Sequence, residues 1–541
     1  MHTDKRRLFW NSKHGKSGGF LSLSVFICVN LWLILLPSCS TKPTDPRTVV
    51  PGDALVYVET DDLGKTLAAI TESEAFAKFS KKKPDLSAVN GIKMSIAVTG
   101  FEREDQDLTE EHAVIKFQPH FVAVAETNAW SWQAERFTEH KLGEFINEIF
   151  GGETELEVAK RPDGKYYVWK SQDGRKVFGL LQGSLLYFAN DESSIEKCLA
   201  VKRGEADSIA KNPKITTGDR LAFGYISTDG VAQLANIAGL SAGVAASEEG
   251  EVRNFVESVL PQVVRGSVSE IVWTAVKTDK GISDKFDFAF VSDVARVANE
   301  TLRSSGTQNS SLDGFVPADF VSVTRYSVKD PRLAWRSVVL TAQSKIDAVN
   351  GALLAGFSDS IFEPYAIENS EQFLGSVADR IITVKLDPDG EDAAVIAEAK
   401  DIAGVKKGVT KEINFSKPVE KVGEADVWKS DDGTSSAAFV GNIVLLGDTD
   451  TVIKCLNAKQ TGSAMDASTV APPSDAVSFT IANEIDPTAR LIEVLGERHD
   501  ETTPLTERSY TSTSVNAQGL HRATTSDFGT IGAIIEQFVR E

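Results

Sequence analysis

Val168-Trp-Lys-Ser-Gln-Asp-Gly174 returns 259 residues later as Val427-Trp-Lys-Ser-Asp-Asp-Gly433. Downstream of each word lies another, Ile195-Glu-Lys-Cys-Leu199 and Val452-Ile-Lys-Cys-Leu456, 257 residues apart. Two words in the same order at nearly the same gap point to internal duplication, which shapes every later reading. Outward from them, Pro51-Gly-Asp53 ahead of an apolar run matches Pro317-Ala-Asp319, and Gly218-Asp219 matches Ser474-Asp475. Ser292-Asp293, after a strand–turn–strand around Lys280-Gly281, matches Ser526-Asp527 after Gln518-Gly519. The offsets drift from 266 to 234, as when loops change length and elements do not. The expected organisation is a first module over 51–304, a linker over 305–316 and a second module over 317–541.

Alternating apolar and polar residues predict strands at 54–58, 121–125, 166–170, 185–189, 286–290, 381–386 and 443–446. Asp-Gly pairs at 163–164, 173–174 and 432–433 sit between such runs and signal hairpin turns. Helical periodicity predicts helices at 61–79, 132–150, 191–200, 392–399, 450–458 and 527–539. Hairpins with single helices between them predict an α+β fold. The expected architecture is a tandem duplication of a module with antiparallel sheets and helices packed on one side.

The 541 residues carry 57 Lys+Arg against 77 Asp+Glu, a net charge of −20. That balance argues against nucleic acid as a partner, since the phosphate backbone needs a basic footprint. Apolar residues at 42% exclude a disordered chain, and four cysteines exclude a disulfide-built scaffold.

The first residues read as an address. Lys5, Arg6, Arg7, Lys13 and Lys16 precede 17 uncharged residues at 20–36. A basic segment followed by a short apolar one describes an export signal, and the run falls short of the ~20 apolar residues of a membrane span. Arg6-Arg7 also resembles the twin-arginine export signature. Leu36-Pro37-Ser38-Cys39 resembles the lipobox of bacterial lipoprotein precursors. That resemblance implies cleavage between Ser38 and Cys39 and fatty acylation of Cys39. Ser40 implies sorting to the outer membrane, where the cell has one. Loss of residues 1–38 leaves 503 residues with a charge of −24, so the membrane is met through the lipid alone. Residues 39–50 form a polar tether. The opening Pro51-Gly-Asp-Ala54 resembles exported bacterial proteins of uncharacterised duplicated-domain families, which bring no activity with them.

Candidate chemistry is sparse. Cys198 and Cys455 fall on the apolar stripe of matched short helices and read as core residues. A disulfide between them is the alternative in an exporting compartment. Gly239-Leu-Ser241-Ala-Gly243 has the spacing of a nucleophile elbow, but its flanks read as one helix rather than strand and helix. The acidic cluster at 387–392 reads as a turn opening a helix rather than a calcium loop. Trp169 and Trp428 read as hairpin residues packed on a helix, with a carbohydrate or peptide platform as the alternative. No histidine has metal-ligand spacing and no phosphate-binding glycine motif occurs, so no catalytic residue, metal or cofactor is assigned. The expected function is that of a membrane-anchored, non-enzymatic lipoprotein with a binding or envelope-assembly role, its ligand unassigned and a protein or envelope component the candidate partner. The rival is an envelope-acting hydrolase.

Overall fold

Twenty antiparallel strands among the described residues join into one sheet. The computed structural model describes residues 44–104, 116–246, 250–306, 311–388, 390–465, 471–485, 492 and 506–540. Asp45–Glu541 make up one compact unit.

The first ten strands are β1 (Val56–Thr60), β2 (Lys93–Glu104), β3 (Lys116–Glu126), β4 (Glu155–Arg161), β5 (Gly164–Lys170), β6 (Lys176–Gln182), β7 (Leu185–Ala189), β8 (Ala222–Ile226), β9 (Val268–Thr278) and β10 (Gly281–Phe290). The next ten are β11 (Ser322–Ser327), β12 (Val377–Lys385), β13 (Ala393–Ala399), β14 (Glu420–Val422), β15 (Ala425–Lys429), β16 (Ser435–Val440), β17 (Ile443–Asp448), β18 (Ser478–Ile485), β19 (Thr506–Val515) and β20 (Gly519–Ser526). Their spatial order in the first run is β4-β5-β6-β7-β3-β2-β1-β8-β9-β10. It continues through β10–β20 pairing as β20-β19-β18-β11-β12-β13-β17-β16-β15-β14. The mixed α+β class is thus that of an antiparallel sheet with interspersed helices.

The repeated words explain themselves locally. Trp169 in β5 and Trp428 in β15 are both buried. After each, Ser171 and Ser430 close the hairpin by donating from Oγ to Asp173 and to Asp432 Oδ1. Gly174 and Gly433 supply the positive φ, +90° and +78°, that those turns require. At the far edge, β4 is exposed along its whole length and carries Glu155, Glu157, Lys160 and Arg161, charges that oppose pairing with another chain.

Several expectations need correction. Residues 393–399, read as a helix, are the strand β13, because six of its seven residues are buried between β12 and β17. A strand covered on both faces reads as a continuous apolar run, and periodicity alone cannot separate it from a buried helix. For the same reason helices cover both faces of the sheet, not one. Ala394 and Ile396 pack with Val452, Cys455 and Leu456 of the Thr449–Thr461 helix. Val395 and Ala397, pointing the other way, pack with Phe373 and Leu374 of the Ser370–Ser376 helix and Val405 of the Ile402–Gly408 helix. The helix expected at 61–79 is also broken, since Ser73 accepts from the Phe76 amide and starts a second helix, Glu74–Phe79. Leu312, Phe315 and Val316, in the stretch read as linker, and Val49 and Val50, in the stretch read as tether, are buried. Among the described residues no helix is long and apolar enough to cross a membrane.

Candidate functional site

Glu59 in β1 and Arg325 in β11 are buried charges at corresponding points of the sheet. Glu59 lies opposite Phe223 of β8, and Arg325 lies opposite Phe479 of β18. Strands expose alternate residues to one face, so Tyr57 and Glu59 share theirs, as do Val323 and Arg325. A buried ion needs partners for its hydrogen-bonding capacity as well as an opposite charge.

Glu59 has them. Its carboxylate takes a hydrogen bond from Arg220 Nη2, a second from Tyr57 Oη at 2.6 Å, and lies 3.9 Å from Arg47 Nε. The Arg220 and Glu59 side chains are each only 7% exposed, and Arg220 also lies over the Phe223 ring at 4.0 Å. Burial, then the Glu59 charge, pushes the Tyr57 hydroxyl far above the usual tyrosine range. Here the cluster is closed.

Arg325 is only partly satisfied. Its Nε donates to Asp313 Oδ1 at 2.8 Å, in a pair whose side chains are 9% and 11% exposed. Its Nη2 is buried and has no hydrogen-bond partner. The signs are reversed from the first cluster. Arg47 and Glu59 are twelve residues apart, and so are Asp313 and Arg325. Three residues before the facing phenylalanine, Arg220 stands in one case and Ala476 in the other. Beside Ala476 the structure has a narrow cleft of about 20 Å3, lined also by Arg325, Arg380, Ile382, Pro473 and Phe479. Arg380 is itself paired with Glu398 on the neighbouring strand.

Elsewhere, Asp284 of β10 is buried and accepts from Trp273 Nε1 and from the Thr530 amide, both at 2.7 Å. Burial raises its pKa in spite of those bonds. It caps the Gly529–Arg540 helix from another strand, a structural role.

The residues singled out from sequence lie apart from the cleft. Cys198 and Cys455 are free thiols buried in separate clusters, and no disulfide joins them. Burial pushes each thiol up to about 12. Ser241 falls inside the Thr228–Ala246 helix, so the backbone makes no elbow there. Asp387 accepts from the amides of Gly390, Glu391 and Asp392 at 2.8, 3.1 and 2.9 Å, a turn that leads into β13. His120 lies 3.0 Å from Glu102 and 3.5 Å from Asp191, and His521 pairs with Asp287. Among the described residues no three His, Cys, Asp or Glu converge as metal ligands. Trp169 stacks on Tyr167 at 5.6 Å, and Trp428 packs against Phe415 and Phe439. Ser38, Cys39, His112, Asp389 and His499 lie outside the described residues. Sequence reasoning missed Glu59 and Arg325 because the charges change sign between the two places. The signal was the shared spacing of twelve between opposite charges.

No family model matches this chain, and no curated protein matches it. One solved structure, crystal form I of TP0453, is 12% identical and is similar over 46% of this chain and 79% of that one, at a TM-score of 0.25. A superposition that loose fixes neither fold nor function.

Proposed function

We propose that this chain is a bacterial lipoprotein, cleaved before Cys39 and anchored by acyl chains on that residue. Its body, on this reading, is a tandem duplication, with modules over 51–304 and 317–541, that works in the cell envelope by binding rather than by catalysis. The observation that carries the duplication is the β10–β20 seam. Strands β1–β10 and β11–β20 take the same neighbours in the same order. At the seam Lys285 faces Ala523, each the fourth residue after a strand-opening glycine, Gly281 or Gly519. Ile282 faces Ser526 and Leu520 faces Phe288, so matched positions exchange partners as they do across a two-fold interface.

The anchor rests on the Leu36-Pro37-Ser38-Cys39 pattern and the basic and apolar segments before it. Binding rather than catalysis is supported by the helical setting of Ser241 and by a cleft whose two charged side chains, Arg325 and Arg380, are each already paired with an acid. A hydrolase would need a nucleophile, a base and oxyanion donors at one point. Growth on a clickable fatty acid tests the anchor. The wild-type chain is expected to carry the label and Cys39→Ala to lose it, and label persisting in Cys39→Ala overturns the reading.

A further inference from the structure

We infer that Trp130 and Trp132 dock this chain on the lipid bilayer that its Cys39 anchor enters, with their rings at the level of the headgroups. The inference rests on the lipoprotein reading above and adds to it a membrane-facing end of the body.

At 70% and 61%, Trp130 and Trp132 are the most exposed aromatic side chains among the described residues. Helix formation does not account for the first of them. Trp130 stands at the N-cap of the Ser131–Arg136 helix, a place usually held by a side-chain oxygen, and an indole can only donate. The Trp130 amide donates to Gln133 Oε1 at 3.1 Å. The loop before the rings is pinned. Asn128 takes a positive φ of 52°, uncommon without glycine, and its Nδ2 donates to the Gly91 carbonyl at 2.9 Å. The Thr127 amide donates to the Ser184 carbonyl at 3.0 Å. Two apolar rings are thus kept in water on a fixed support.

Their place on the sheet says what covers them. Thr60 faces Met94 and Lys93 faces Glu126, so β1 ends, β2 begins and β3 ends at one edge, and Trp130 follows β3 by four residues. The body begins at that same end. Arg47 Nε lies 3.0 Å from Asp45 Oδ1 and 3.9 Å from Glu59 Oε2, one residue short of the end of β1. Burial works against ionisation of Asp45, but Arg47 and then Lys93 hold its carboxyl below the usual range, which places Lys93 within reach of it. Asp45 is six residues from Cys39, at most about 20 Å of extended chain. Acyl chains on Cys39 bring a bilayer within that distance of this end.

Charge agrees. Anionic headgroups repel a body of −24, which favours an uncharged docking surface. Thr127-Asn-Ala-Trp-Ser-Trp-Gln-Ala134 has no charge over eight residues. Indole, an apolar body with one N–H, suits the boundary between headgroups and acyl chains.

The test reconstitutes the full chain in phosphatidylcholine vesicles with brominated acyl chains, which quench indole at contact range, and in the same vesicles without bromine. Of the tryptophans after Cys39, Trp169, Trp273 and Trp428 are buried and Trp335 is half-buried, so quenching by lipid reports Trp130 and Trp132. Brominated lipid is expected to quench part of the wild-type emission. The double variant Trp130→Phe and Trp132→Phe keeps an apolar ring at two exposed places, and is expected to float with the vesicles and to lose most of that quenching. Equal quenching in wild type and variant, or none in either, overturns the inference. So does protection from iodide that appears with purified peptidoglycan, or with rising protein concentration in detergent, while brominated lipid quenches nothing. The partner is then a glycan or a second copy. Flotation and the acyl label report the anchor, whereas quenching reports the rings. A labelled, floating chain without quenching overturns this inference alone, and an unlabelled chain still quenched by added vesicles overturns the anchor alone.

Discussion

The Glu59 cluster and the Arg325 cluster occupy the same station on the sheet, and they differ in sign and in completeness. Around Glu59, two arginines and a tyrosine surround one carboxylate. Around Arg325, one aspartate holds one edge of a guanidinium and the other edge is unmet. The strand pairing tolerates either polarity, because what the interior requires is balance and not a particular sign. The lesson lies in the third partner. Keeping it closes the cluster, and its loss opens a cleft beside a buried charge.

The comparison breaks most sharply at Arg220. Arg220→Ala leaves the Glu59 carboxylate 7% exposed with Arg47 3.9 Å away as its remaining cation. Breaking a buried pair from one side costs about 3–5 kcal/mol, to be read as a lowered denaturation midpoint. A loss below about 1 kcal/mol would mean that water reaches Glu59 and that the two clusters differ less than their geometry implies. Ala476→Glu runs the comparison in reverse, rebuilding the Arg220–Glu59 contact with the roles exchanged. One charge-assisted hydrogen bond to Arg325 is expected to add about 1–2 kcal/mol in the same unfolding measurement.

Cys198 and Cys455 sharpen the likeness instead. Each is buried under a helix in its half of the chain, and burial raises each thiol from 9.0 to about 12. Above pH 9 the unfolded chain gives up thiol protons that the folded chain keeps, so the folded state binds more protons and stability falls as pH rises. The loss runs between the unfolded and folded values, at up to about 1.4 kcal/mol per pH unit for each thiol. The difference in stability between the wild-type chain and Cys198→Ala is expected to shrink over that range, and likewise for Cys455→Ala. A flat difference for one and not for the other would show that the two helices are not packed alike.

What could be read from the sequence follows from where each residue works. The Val-Trp-Lys-Ser word was legible because one short stretch fixes a buried tryptophan, a Ser–Asp tie and a glycine turn together. Residues 387–399 were legible only at their start. Asp387 does make the turn, but Ala393–Ala399 has strong helix formers whose preference is overridden by burial on both faces of the sheet. The helices on the second face went unread for the same reason. The cleft left no repeated word, since Glu59 against Arg325 and Arg220 against Ala476 are differences, and a search for repeats finds samenesses. Its existence depends on a register that brings residues 325 and 479 opposite each other, 154 positions apart in the chain.

The smallest expected effect separates the two tryptophans. Lys406 Nζ stands 4.9 Å from the Trp428 ring, 5.0 Å from Phe415 and 5.2 Å from Phe439, so its charge lies against three aromatic faces. On the other side of the comparison, Lys165 is 5.6 Å from the Tyr167 ring that stacks on Trp169, but its ammonium is held by Glu139 at 2.7 Å and Glu135 at 3.1 Å. One lysine is held by rings and the other by carboxylates. Lys406→Met is therefore expected to cost about 1 kcal/mol, and to cost the same in dilute buffer and in concentrated KCl, because the ring quadrupole acts at contact range. Lys165→Met is expected to cost less, and its effect to fade in KCl as exposed ion pairs are screened. If the Lys406→Met loss faded with salt as well, its partner would be a carboxylate, and the two hairpins would be held in the same way.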